Sequence, residues 1–107
     1  MKILNSVESI EAFIENNNLA LLYFSDDMCS VCHDLLPKVE QMLLSYTQIK
    51  SARVEISKLL EASGKFSIFT APTILLFIDG KETIRESRII SLSHLELKIA
   101  RYYRMLI

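Results

Sequence analysis

The chain has little of what would mark a specialised class of protein. Neither charge is in excess: 12 Lys and Arg stand against 13 Asp and Glu, a formal net charge of −1. Proteins that hold nucleic acid or an anionic membrane electrostatically carry a basic patch or stripe, so neither partner is expected. Long apolar runs are absent too. The longest, LALLYF and ILLFI, fall far short of the roughly 20 residues that cross a bilayer. The amino terminus, MKILNSVESIEAFIENNN, has no sustained apolar stretch and no small-residue cleavage site, so it does not read as a secretion signal. A soluble protein of the cytoplasm is the expectation. Glycine and proline are scarce, at two each, and no linker, repeat or low-complexity segment breaks the chain.

What is present is globular in composition. Half of the 107 residues are hydrophobic and 23% are charged with the signs interspersed. A chain of this length typically buries roughly two thirds of its extended surface, enough for one domain over residues 1–107 with a core that needs no staples. The two cysteines, both in SDDMCSVCHDLLPK, therefore call for another explanation. In a reducing compartment, closely spaced cysteines lean towards redox or metal chemistry.

Periodicity places this stretch. Asn5 followed three positions later by Glu8 matches an N-cap arrangement, and Val7, Ile10, Phe13 and Ile14 recur at helical spacing, giving a helix over 6–16. LALLYFS from 19 is a continuous apolar run of strand length, as in a central strand buried on both faces. From Ser30, the residues Leu35, Leu36, Val39, Met42, Leu43 and Tyr46 form one helical stripe interrupted by Pro37. SARVEIS (51–57) alternates like a strand, and KLLEASGKF reads as a short helix closed by Gly64. TILLFIDGKETIRES is a hairpin turning at Asp79-Gly80, with Ile84 inward. Residues 92–106 form a terminal amphipathic helix. The order predicts an α/β fold with a mixed four-stranded sheet and helices on both faces.

Four chemistries fit a Cys-x-x-Cys pair at a strand-to-helix junction. In the redox reading, Cys29 lies in the first helical turn, where unpaired N–H groups and the positive end of the helix dipole favour a thiolate. Cys32, one turn further in and less exposed, then resolves the mixed disulfide. CSVCH also matches haem attachment literally, but the motif opens a buried helix in a chain with no export signal. A closed zinc site wants four ligands, and beyond Cys29, Cys32 and His33 the other histidine is His94. Two thiols serving as small hydrophobes is the bland reading, and it suits Cys32 better than Cys29. His33 is either a solvated residue of the first turns or a cation that tunes the thiols. Asp26, Asp27 and Asp34 oppose a thiolate electrostatically and suit helix capping.

These stretches together resemble the thioredoxin family over nearly the whole chain: LALLYFSDDMCSVC leading into the site, Pro37 in the helix, and FTAPTILLFIDGKE with its proline before the hairpin. The resemblance implies that Cys29 attacks, Cys32 resolves, and Pro72 is a cis-proline beside them. It also implies that the Ala71 backbone pairs with an extended substrate segment, in a shallow apolar groove framed by Met28, Phe66, Ala71 and Pro72. Ser30 and Val31, between the cysteines, replace the usual Gly-Pro and set the redox poise, with His33 beside them.

Further departures bear on mechanism. Met28 stands where a tryptophan is usual, and Tyr23 where the family has a buried aspartate that handles the resolving thiol's proton. Arg53 matches a nearby buried lysine. A glycine of the loop after the last strand is replaced in RIISLS, around Ile90 and Ser91. The expected activity is reduction of protein disulfides, with no cofactor or metal beyond the cysteine pair. Electrons would come from a thioredoxin-reductase-like flavoprotein or a small thiol. The departures leave one rival, a protein-binding module on the same fold with a vestigial or regulatory dithiol.

Overall fold

A computed structural model describes all 107 residues. Its elements are β1 (Lys2–Ile3), α1 (Val7–Asn16), β2 (Leu19–Ser25), α2 (Ser30–Leu43), β3 (Lys50–Glu55), α3 (Leu60–Lys65), β4 (Thr73–Ile78), β5 (Lys81–Ser87) and α4 (Leu92–Leu106), with a 3-10 turn at Ile56–Lys58 before α3. They form one five-stranded sheet in the order β1-β3-β2-β4-β5. β1 and β3 run parallel to their neighbours, while β4 and β5 are antiparallel. The expected count of four strands is thus corrected to five. β1 is two residues long and joins the sheet edge beside Ala52 and Arg53, too short to show any period.

Central β2 explains itself: all seven of its residues are buried, which needs apolar side chains facing both ways. Leu19, Leu21 and Tyr23 point into a core closed by α2 and α4, with Cys32, Leu35, Val39, Leu95 and Ile99. Ala20, Leu22 and Phe24 point into the other, closed by α1 and α3, with Ile10, Ile14 and Ala62. The dithiol belongs to the first.

Local chemistry adjusts two expected boundaries and keeps a third. The cap of α1 is Ser6, not Asn5: Ser6 and Ser9 exchange side-chain and backbone hydrogen bonds in a capping box. Gly64 lies inside α3, and the left-handed residue beyond that helix is Ser67, at φ 55°. The hairpin turns where expected, with Ile78 paired to Lys81 and positive φ at Asp79 and Gly80, the combination that a two-residue turn of type I′ needs.

Candidate active site

Helix α2 starts directly on the dithiol. Cys29 is its N-cap, and the Cys29 sulfur accepts a hydrogen bond from the Cys32 N–H at 3.1 Å. An N–H left over at a helix start would otherwise seek water. Here it points at sulfur, so the site holds negative charge on Cys29 better than on a free thiol. The two cysteines are joined as a disulfide with Cα atoms 5.3 Å apart, within the usual range for a bridge. Cys32 is 2% exposed, whereas Cys29 is only half-buried. Attack from outside can therefore reach Cys29 alone.

The turn into the helix is held by Asp26, whose carbonyl accepts from Cys29 N–H (3.0 Å) and whose carboxylate accepts from Met28 N–H (3.1 Å). Asp27 pairs loosely with Lys58 at 3.7 Å. His33 turns back along this loop, its Nε2 donating to the Asp27 carbonyl at 3.1 Å. Its visible role is to brace the loop. No group of three or more His, Cys, Asp or Glu side chains is placed to hold a metal ion.

Under the helix start lies Tyr23, fully buried, its hydroxyl donating to the Cys32 carbonyl at 2.6 Å. Burial, and secondarily the charge of Glu55, push its pKa up to about 12, so it stays a neutral donor. Glu55 is across the strand pair from Ser25, whose hydroxyl donates to it at 2.8 Å. Arg53 approaches the same carboxylate only to 3.9 Å. Arg53 Nε and Glu55 Oε2 are both buried without a partner. A phenol thus stands in the strand before the site, where the family has an aspartate, and the Glu55 carboxylate is one strand over.

The second half of the site is the loop before β4. The Ala71–Pro72 peptide is cis, and four hydrogen bonds hold the loop around it. Thr73 Oγ1 donates to the Thr70 carbonyl at 2.7 Å, Arg88 N–H to the Pro72 carbonyl at 3.0 Å, and Arg85 to the carbonyls of Phe66 and Ser67 at 2.8 and 3.0 Å. Ala71 packs, half-buried, on the same core as Cys29.

Of the expected apolar frame, Met28 is 92% exposed at the lip of the dithiol, and Ala71 and Pro72 lie beside it. Phe66 is a correction. Its ring packs with Phe24 and Phe77 in the core on the other side of the sheet, so it supports the loop from behind and does not frame the groove. Other large apolar side chains exposed in these segments are Phe69 (90%), in the loop before Pro72, and Ile89 (97%), after β5, while Val31 between the cysteines is 55% exposed. Nothing in a single sequence separates an exposed phenylalanine from a buried one. After β5 the left-handed residue is Arg88, at φ 67°.

Comparison with known proteins agrees with this arrangement. The thioredoxin family model matches residues 2–101. A thioredoxin-like protein of Bacillus subtilis (strain 168), YdfQ, is 40% identical over 95% of this chain and 91% of its own. The Chlamydia trachomatis thioredoxin is 30% identical over 74% of this chain and 79% of its own. Among solved structures, Fasciola hepatica thioredoxin superposes with a TM-score of 0.85 at 30% identity, over 94% of this chain and 98% of its own. Plasmodium falciparum thioredoxin gives a TM-score of 0.87 at 24% identity, over 95% and 99%, which speaks for the fold. A match of that extent, with the cysteine pair capping the helix that follows the central strand, means that the chain belongs to the thioredoxin family and carries the dithiol of a thiol–disulfide oxidoreductase.

Proposed function

We propose that the protein reduces disulfides in other proteins through Cys29 and Cys32. The observation that carries this reading is the asymmetry of the pair: a half-buried sulfur at a helix N-cap, backed one turn further in by a buried one. Cys29, as thiolate, attacks one sulfur of a substrate disulfide, forming a mixed disulfide and releasing the other substrate sulfur as a thiolate. Cys32 loses its proton and attacks Cys29, which expels the second substrate sulfur. The two protons end on the two substrate thiolates, and the protein is left with the Cys29–Cys32 disulfide. Two electrons must then be returned from outside, by a thioredoxin-reductase-like flavoprotein or a small thiol. No bound cofactor takes part. The exposed apolar side chains of Met28 and Val31 beside the cysteines suit an extended polypeptide better than a small polar disulfide. The reducing character of the pair, in turn, suits a cytoplasmic setting.

The test is insulin-disulfide reduction with dithiothreitol as donor. Cys29→Ser should abolish the activity, and Cys32→Ser should accumulate mixed disulfides with its substrates. Unchanged reduction by Cys29→Ser would end this reading. A partner set that survives replacement of both cysteines would favour a binding module.

A further inference from the structure

Resolution of a mixed disulfide requires the Cys32 thiol to lose its proton, yet Cys32 is 2% exposed, so bulk water does not reach it. Tyr23 beneath it is itself a protonated donor, with its hydroxyl on the Cys32 carbonyl. Of the carboxylates at the helix start, Asp26 is turned to the Met28 N–H and Asp27 to Lys58, and Asp34 is exposed on α2.

Glu55 differs from all three. Its neighbours Ala52 and Val54 face the core closed by α1 and α3, so alternation along the strand turns Arg53 and Glu55 to the face that carries Tyr23 and Cys32. Register sets Glu55 opposite Ser25, the residue that leads into the turn bearing the cysteines, and the Ser25 hydroxyl holds Oε1 at 2.8 Å. The side chain is 12% exposed, and its charge is felt at the Tyr23 phenol that touches Cys32. Oε2 is the one buried side-chain acceptor of the molecule without a hydrogen-bond partner. An ionised carboxylate can only accept, and leaving such an atom buried and unpaired costs free energy that asks for a reason.

Glu55 also borders a depression of about 160 Å³, together with Ile3, Leu4, Asn5, Lys58 and Leu59. At about 30 Å³ per water it has room for a few water molecules. It lies on the β1 and β3 side of central β2, whereas the loop with Pro72 leads into β4 on the other side. A proton leaving there does not cross the Pro72 side of the site.

We propose that Glu55 is the proton acceptor for Cys32 in the resolving step. The Cys32 S–H bond breaks and its proton passes to Glu55 Oε2, relayed by solvent from the adjoining depression. The electron pair left on the Cys32 sulfur attacks the Cys29 sulfur, the bond from Cys29 to the substrate breaks, and the substrate sulfur leaves as a thiolate. Glu55 then gives the proton to solvent and is a carboxylate again. The other charged and titratable groups around it are Tyr23 on β2, Arg53 on β3, Asp26 and Asp27 in the β2–α2 turn, Lys58 on the 3-10 turn and His33 on α2. The proposal rests on the reading of Cys29 and Cys32 as a disulfide-reducing pair.

The test mixes the reduced full chain with a chromogenic aryl disulfide, dithiobis(nitrobenzoate), in rapid-mixing absorbance measurements. Attack by Cys29 releases one coloured thiolate at a rate proportional to protein concentration, and resolution by Cys32 releases a second at a rate independent of it. At pH 7, Glu55→Gln should slow the second phase by about a hundredfold, the lower end of what a positioned proton acceptor contributes, and leave the first within about twofold. The pH profile should change with it. In the wild type the second phase should rise with ionisation of a carboxyl group and then level, whereas in Glu55→Gln it should climb only towards the ordinary thiol value of about 8.5, so that the gap narrows there. Glu55→Asp should recover part of the rate. Ser25→Ala, which releases the carboxylate without removing it, should slow the second phase severalfold and serves as the deciding variant if Glu55→Gln does not fold. A second phase unchanged in these variants, or slowed with the wild-type pH profile in Glu55→Gln, would overturn the assignment of Glu55 and leave the reductase reading intact. A wild type that releases only one thiolate would overturn both.

Discussion

Tyr23 shows how one residue can change a familiar site without removing it. Its ring fills the core beneath α2, and its hydroxyl anchors the carbonyl of the resolving cysteine. Because the folded pKa of about 12 lies above the ordinary phenol value of about 10, the neutral form is the one the fold favours. That contribution is present in full below pH 10 and is lost as pH rises from about 10 to about 12. An ultraviolet absorbance titration should therefore find the Tyr23 phenol still largely un-ionised at pH 11 in the folded protein. Tyr23→Phe should remove this step and lower stability at pH 7 by about 1 kcal/mol, the usual net worth of one hydrogen bond, read as a lower urea midpoint. If Tyr23→Phe left the titration above about pH 10 unchanged, the packing assigned to Tyr23 would be wrong.

At the scale of elements, the site is a joint between two pieces: the β2–α2 turn with the cysteines, and the loop before β4 with Pro72. Strand β5 serves the second piece. Arg85 reaches from β5 to the carbonyls of Phe66 and Ser67 while Glu82 holds its guanidinium. The Arg85 hydrogen bond keeps the Glu82 carboxyl below the usual carboxylate range, so this tie is complete above the unfolded value of about 4.3 and is lost as pH falls through the lower folded value. Both side chains are more than a third accessible or nearly so, and the pair itself is worth at most about 1 kcal/mol. Arg85→Gln should thus cost little global stability and show mainly as faster amide hydrogen exchange over residues 66–70. The difference from wild type should fade as pH falls below the ordinary glutamate range, where Glu82 takes up a proton. An exchange pattern unchanged by the substitution would mean that the loop is held by Thr73 and Arg88 without help from Arg85.

Elements were readable in proportion to the length of their pattern. The apolar run of β2, the stripe of α2 and the Asp79-Gly80 turn each state one answer, because burial on two faces, on one stripe, or a pair of positive φ angles leaves few alternatives. β1, with two residues, states nothing. Ser6 and Asn5 are adjacent and equally able to cap, so the choice between them falls to Ser9 reaching back. Within the site, the cysteines were legible from type and spacing, and Pro72 only through the family resemblance. Phe66 was not, since an aromatic ring carries no mark of the face it packs on, and the left-handed place of Arg88 was hidden because no glycine stands there to signal it.

Over the whole molecule these parts form one device: a five-stranded sheet whose central strand delivers a half-buried sulfur to a helix start, while the neighbouring antiparallel strands bring the cis-proline loop beside it. Its central claim is that Cys29 and Cys32 form a reversible reducing couple. The direct measurement is the reduction potential of the pair, by equilibration in graded dithiothreitol buffers and counting of free thiols. The account predicts one reversible two-electron transition between about −270 and about −180 mV, the span from thioredoxin to protein disulfide isomerase. A pair with no reversible transition, or one as oxidising as about −120 mV, would contradict a reductase built on this dithiol.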